Sequence, residues 1–188
     1  PEVEQIFVVD DACPDHSGDF VEKNVKDKRV TVLRHESNQG VGGAVVSGYR
    51  AALDSEADIV VKVDGDGQMD PGLIPRLIEP ILRGEADYVK GNRFDSLEDL
   101  FEMPRVRIFG NAVLSFWAKL STGYWSITDP TNGFTAIHAK ALRAINLDKV
   151  RKSYFFESDL LFRLSVVNAV VTDMPMKAVY GEERSHLR

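Results

Sequence analysis

The sequence is poor in residues that fix a fold covalently or bind a soft metal. One cysteine, Cys13, stands among 188 residues, so there is no internal disulfide framework, and a reducing compartment fits. Cys13 reads either as a nucleophile or as an ordinary turn cysteine. The four histidines, His16, His35, His138 and His186, are scattered and give no ligand spacing. No apolar run is long enough to span a bilayer, and no signal-peptide pattern opens the chain. Positive charge is scarce too. With 23 Lys and Arg against 29 Asp and Glu, the net charge of -6 argues against a general nucleic-acid binder.

What is present suits a globular protein: 44% hydrophobic and 28% charged residues, in a chain long enough for one domain with a core. The chain opens on Pro1 and stops at "GEERSHLR". It is read as a fragment of a longer polypeptide whose flanks are able to carry membrane segments.

Short apolar runs and helical spacings alternate along the chain. Strands are expected at 6–9, 30–33, 58–63, 88–90, 134–138 and 169–175. Helices are expected at 19–26, 44–53, 71–82, 105–122, 140–145 and 157–167, with 95–104 as a mobile acidic loop. Pro75 is tolerated in the first turn of its helix. This alternation predicts an α/β fold with a mostly parallel sheet, whose ligands bind beyond the carboxyl ends of the strands. The acidic ends Asp10-Asp11 and Asp64/Asp66 are therefore expected on one edge.

Several clusters carry chemistry. In "DGDGQ", Gly65 lets Asp64 and Asp66 aim at one point, and with Gln68 they form a hard oxygen set suited to Mg²⁺ or Mn²⁺. A solvated acidic turn is the plain alternative. In "VVDDACPD", Asp10 or Asp11 either accepts hydrogen bonds from a ribose or base, or caps backbone amides of its own turn. "NQGVGG" approaches the dinucleotide fingerprint through Gly40 and Gly42 but has Val45 where the third glycine belongs. An NAD-type dehydrogenase domain therefore stays open as an alternative. Arg93, Arg105 and Arg107 suit a diphosphate or are simply solvated basic residues. Asp129 in "DPTNGF", and Glu157 and Asp159 at a helix start, either orient an acceptor or cap locally.

Taken in order, V-D-D, N-x-G, D-G-D-G-Q, G-N-R, D-P-T-N-G-F and F-E-S-D-L-L resemble the inverting family-two glycosyltransferases of GT-A fold. The resemblance covers essentially the whole chain and is closest to the bacterial polyprenyl-phosphate sugar transferase and dolichol-phosphate mannose synthase-like branch. It implies a GT-A (Rossmann-like) three-layer α/β sandwich and a single catalytic domain over 1–188. It implies a nucleoside-diphosphate-sugar donor near Asp10, Asp11, Asn38, Gly40 and Asp64. Asp64, Asp66 and Gln68 would hold Mg²⁺ or Mn²⁺, with Asp66 and Gln68 as the more direct ligands. Arg93, Arg105 and Arg107 would meet the diphosphate, and Asp129, Glu157 and Asp159 would serve the acceptor region.

The acceptor implied is a polyprenyl phosphate or lipid-linked saccharide at the cytoplasmic face of the bacterial inner membrane. Membrane contact would run through the flanks, and no nucleic acid is expected. The family's opening "P-x-Y/F-N-E" strand and the membrane region after a stretch like "VYGEERSHL" are both missing here. Two further readings stand beside this one. A phospho-receiver domain would explain the acidic pair but leaves 88–168 without a role. A non-catalytic sugar- or partner-binding module is the other, and the retained Asp64, Asp66 and Gln68 count against it.

Overall fold

The computed structural model describes residues 3–93, 113, 115–117 and 119–176. Its elements run β1 (Ile6–Asp10), α1 (Ser17–Asn24), β2 (Val30–Arg34), α2 (Val41–Asp54) and β3 (Ile59–Lys62). A 3₁₀ turn (Pro71–Leu73) leads into α3 (Ile74–Leu82), followed by β4 (Tyr88–Asn92) and β5 (Thr135–His138). The chain closes with α4 (Ala139–Ala144), a second 3₁₀ turn (Leu147–Lys149), α5 (Phe156–Val166) and β6 (Val171–Pro175). Residues 113, 115–117 and 119–122 are helical, in the second half of the helix expected from 105. Its first half, with Arg105 and Arg107, and the loop 95–104 lie outside the described residues.

The chain divides into two compact units. The first comprises 1–60 and 138–168. Here β1 and β2 pair in parallel, from Ile6 opposite Val30 to Asp10 opposite Arg34. Helix α2 lies on β1, with Gly48 close to Val9, and packs against α4 and α5. Its buried Val46 meets Val150 and Phe156, with Val41, Val45 and Leu147 around them.

The second unit comprises 61–137 and 169–188. Its sheet has the order β3–β5–β4–β6. β4 runs parallel to β6, from Tyr88 opposite Val171 to Asn92 opposite Pro175, and antiparallel to β5. β4 is paired on both edges and α3 packs on it, and all five of its residues are buried, Lys90 included. Helix α3 packs on β4 and buries Leu77, Ile78 and Ile81, each contributing roughly 1.5–3 kcal/mol of transfer free energy. Pro75 sits in its first turn, where no N–H is needed, and Pro80 precedes its end by two residues.

The two acidic strand ends thus belong to different sheets in different units.

Candidate active site

In the second unit, three loops meet at the start of β5. Lys62 and Asp64 are two residues apart and so share a face of the extended chain. Lys62 Nζ lies 2.7 Å from Asp64 Oδ1 and also donates to the Gly133 carbonyl at 3.1 Å. Gly133 leaves room for both side chains: a Cβ there would collide with Asp64 Oδ2 and stand 2.5 Å from Lys62 Nζ, so a larger residue would displace those two side-chain ends. From the other side, the fully buried Lys90 on β4 donates to the Asn132 carbonyl. The segment 129–134 is thereby stapled between the carboxyl ends of β3 and β4.

Beyond Asp64 the chain turns sharply. Gly67 has a φ of +74°, which suits glycine, and Asp66 Oδ1 accepts the Gln68 N–H at 3.0 Å. Asp66 is exposed. Among the described residues no group of three or more His, Cys, Asp or Glu side chains is arranged to cage a cation. The donor set still fits Mg²⁺ or Mn²⁺. Such ions take one or two carboxylates and complete an oxygen shell with water and substrate phosphate.

Arg93 follows β4 directly. Its Nε is 2.7 Å from Asp129 Oδ2 and its Nη2 is 3.0 Å from Oδ1, a two-pronged pair. Asp129 is 0% exposed and also accepts from Thr131 Oγ1 at 3.3 Å. Its carboxylate thus holds an arginine expected at the diphosphate. Beside it, Asp173 on β6 accepts both the N–H and the hydroxyl of Thr128 at 2.9 Å through Oδ2. Asp173 Oδ1 is buried without a hydrogen-bond partner. Burial pushes the Asp173 carboxyl above its ordinary value and Asp129 adds to this, while Thr128 and Lys90 oppose it.

In the first unit, the acidic pair braces the chain. Asp10 accepts the N–H groups of Cys13 at 2.8 Å and Gly18 at 2.9 Å, and these hold it below the usual carboxylate range. Asp11 Oδ1 meets His35 Nδ1 at 2.5 Å and the Gln39 N–H at 2.8 Å; Oδ2 accepts the Gly40 N–H at 2.8 Å. Burial raises Asp11, but the His35 bond and the two amides outweigh it and leave its pKa lowered. The other ring nitrogen of His35 meets Ser47 Oγ at 2.8 Å. Asn38 Oδ1 also accepts from Gly40 N–H, at 3.0 Å. Cys13 sits in the turn, its Sγ 3.1 Å from Ser17 Oγ.

The glycine run has a packing explanation. The Gly42 N–H donates to the Lys152 carbonyl at 3.0 Å, and a Cβ on Gly42 would strike the Arg151 carbonyl and lie 2.7 Å from Phe156 Cβ. The Gly40 and Gly42 amides, at the start of α2 where a dinucleotide pyrophosphate would sit, are thus already engaged, which counts against the dehydrogenase alternative.

At the start of α5, Glu157 is buried. Asp159 accepts the Arg151 N–H at 3.0 Å and Arg163 Nε at 2.8 Å, tying the preceding loop to the helix. Asp64, Asp66, Gln68, Arg93 and Asp129 therefore share the second unit. Asp10, Asp11, Asn38, Gly40, Glu157 and Asp159 share the first.

Lys62, Lys90, His35 and Asp173 were not expected among the organising residues. The available signal was a lysine two residues before a polar residue in each of two apolar strands, "VKVD" and "VKGN".

A family model described as Glycosyl transferase family 2 matches residues 1–145. The chain is 34% identical over 179 residues to an undecaprenyl-phosphate mannosyltransferase of Micrococcus luteus, covering 94% of this chain and 72% of that protein. It is also 34% identical over 154 residues to a UDP-N-acetylglucosamine–dolichyl-phosphate N-acetylglucosaminyltransferase of Methanococcus voltae, covering 82% of this chain and 61% of that protein. Among solved structures, glucosyl-3-phosphoglycerate synthase from Mycobacterium tuberculosis, in complex with Mn²⁺ and UDP-glucose, superposes with a TM-score of 0.65. It is 19% identical and covers 97% of this chain and 62% of that one, a likeness that shows the GT-A-type α/β fold.

Proposed function

The chain belongs to glycosyl transferase family 2, and from that premise we propose that it moves a sugar from a nucleoside-diphosphate donor to a polyprenyl phosphate, with inversion. The observation that carries this reading is the stapled 129–134 segment. It joins the carboxylate loop after β3 to the Arg93–Asp129 pair after β4. Sugar transfer from a diphosphate needs both features: oxygen donors for a divalent cation and a fixed cation of the protein's own for the departing charge.

Asp66 and Gln68, supported by Asp64, would hold Mg²⁺ or Mn²⁺. When bound, that ion supplies positive charge against the diphosphate. Arg93 presents its guanidinium in an orientation set by the buried Asp129. Asp129 thereby positions an arginine and takes no proton from the acceptor. A phosphate acceptor is already anionic, so it needs orientation more than a base, and the bound sugar is attacked from the face opposite the diphosphate. Glu157 and Asp159 serve the acceptor side in this reading, and 1–188 act as one catalytic domain. The polyprenyl acceptor is supported by the names of the curated relatives. A polyprenyl tail places the reaction at a membrane surface, here the cytoplasmic face of the bacterial inner membrane. Among the described residues no helix is long and apolar enough to cross it.

Calorimetric titration of UDP and of GDP, each with and without Mn²⁺, tests the donor site. Metal-dependent binding that disappears in Asp66→Ala supports it; equal binding in Asp66→Ala removes the metal assignment. Transfer of labelled sugar to undecaprenyl phosphate, with the anomeric configuration read by NMR, tests acceptor and inversion together.

A further inference from the structure

We propose that Lys62 is a positioning residue for the donor site, pre-setting the D-G-D-G-Q loop by holding Asp64 and Gly133 with one ammonium. This rests on the donor reading above and adds a residue outside the family-level motifs. Asp64 and Asp66 are separated by one glycine, so their charges repel whenever no cation lies between them. Lys62 Nζ, at 2.7 Å from Asp64 Oδ1, offsets one of those charges from within the protein. The Lys62 side chain is only 9% exposed, so its ammonium is held in place, while the Asp64 side chain, 35% exposed, keeps one side open to solvent. The same Nζ donates to the Gly133 carbonyl, so the loop after β3 and the segment 129–134 share one anchor. The missing Cβ of Gly133 is what lets Asp64 and Lys62 come so near.

The geometry assigns distinct tasks to the two aspartates. Asp64 is oriented by the protein, and Asp66 is left exposed for the incoming ligand. Without Lys62 the two carboxylates would spread apart. The donor would then have to reorganise the loop as it binds, a cost that appears in binding before it appears in turnover.

The test compares Lys62→Met, Lys62→Arg and Gly133→Ala with the wild type. Mn²⁺ affinity is measured in the presence of UDP or GDP, donor KM and kcat are measured separately, and thermal melting reports folding. Lys62→Met is expected to weaken Mn²⁺–nucleotide binding about ten-fold, the usual scale for a group supporting metal ligands, and to raise KM more than it lowers kcat. Lys62→Arg is expected to recover most of the loss, since a guanidinium can reach both partners. If Lys62→Met does not fold, Gly133→Ala reads the same junction with every charge in place and is expected to weaken Mn²⁺–nucleotide binding likewise. Wild-type binding followed by unchanged binding in folded Lys62→Met or Gly133→Ala would overturn the role of Lys62 alone. A wild type that binds neither nucleotide with Mn²⁺ would overturn the donor reading, and this inference with it.

Discussion

Asp11 and Gly40 are joined by an N–H···Oδ2 bond of 2.8 Å, so a carboxylate from the end of β1 closes the start of α2. The same carboxylate takes the Gln39 amide and His35. Asp11→Ala removes all of these at once. It is expected to cost at least the roughly 1–2 kcal/mol of a lost helix cap, measured by urea denaturation at neutral pH.

That brace carries a pH signature. The Asp11 carboxyl is held below its ordinary value of 3.8. Its contribution is therefore present above that value and is lost as pH falls through the lower, folded one. Wild type is expected to lose stability over this acid range more steeply than Asp11→Asn, whose side chain does not titrate. Parallel melting curves for both proteins between neutral pH and pH 2.5 would show no divergence if the brace were absent.

The opposite sign is expected at Asp173. Burial raises its carboxyl above 3.8, so its favourable contribution is complete below that value and is lost as pH rises through the folded one. Asp173→Asn keeps an oxygen for Thr128 and carries no charge. It should melt higher than wild type at pH 7 and alike at pH 3. A variant that melts lower at pH 7 would mean that the ionised form is the stabilising one.

Breaking the Arg93–Asp129 pair leaves an uncompensated charge in a site with no exposure on the aspartate side. Arg93→Met is expected to destabilise by about 3–5 kcal/mol, because the buried Asp129 charge then lacks its cation. Arg93→Met combined with Asp129→Leu should recover a large part of that stability while sugar transfer stays lost. Recovery of transfer as well would show that the arginine has no part in the reaction.

Gly42→Ala separates two accounts of the glycine run. Its Cβ would press on the Arg151 carbonyl and Phe156, an overpacking cost of roughly 1–3 kcal/mol. The melting temperature should fall, and NAD should bind neither the variant nor the wild type. Tight NAD binding by the wild type would restore the dehydrogenase alternative.

Local pattern served the sequence reading wherever burial followed chain periodicity. The strands at Ile6 and Val30 and the helix ending at Leu82 appear where the apolar spacing places them. It fell short where a distant partner decides. Helix α2 starts at Val41, ahead of the expected Ala44, because Asp11 and the Lys152 carbonyl engage backbone amides that Gly42 and Gly43 alone would leave poorly helical. β4 runs on through Gly91 and Asn92, past the expected end at Lys90, because β6 lies alongside with Met174 and Pro175. The candidate carboxylates and Arg93 were named from residue type alone. Their partners were not. A lysine inside an apolar strand usually reaches out to water, whereas here the loop 129–134 gives Lys62 and Lys90 carbonyls to hold.

The two lysines gripping successive carbonyls also restrict how this loop can diversify. Inserting or deleting one residue between Asp129 and Phe134 would move the Asn132 and Gly133 carbonyls out of step with Lys90 and Lys62 together. A change of length here would therefore break both anchors at once. Within this frame Thr131 is the exposed position, so a side-chain exchange there leaves both anchors in place, and a loop grafted from elsewhere would need the same spacing to keep them.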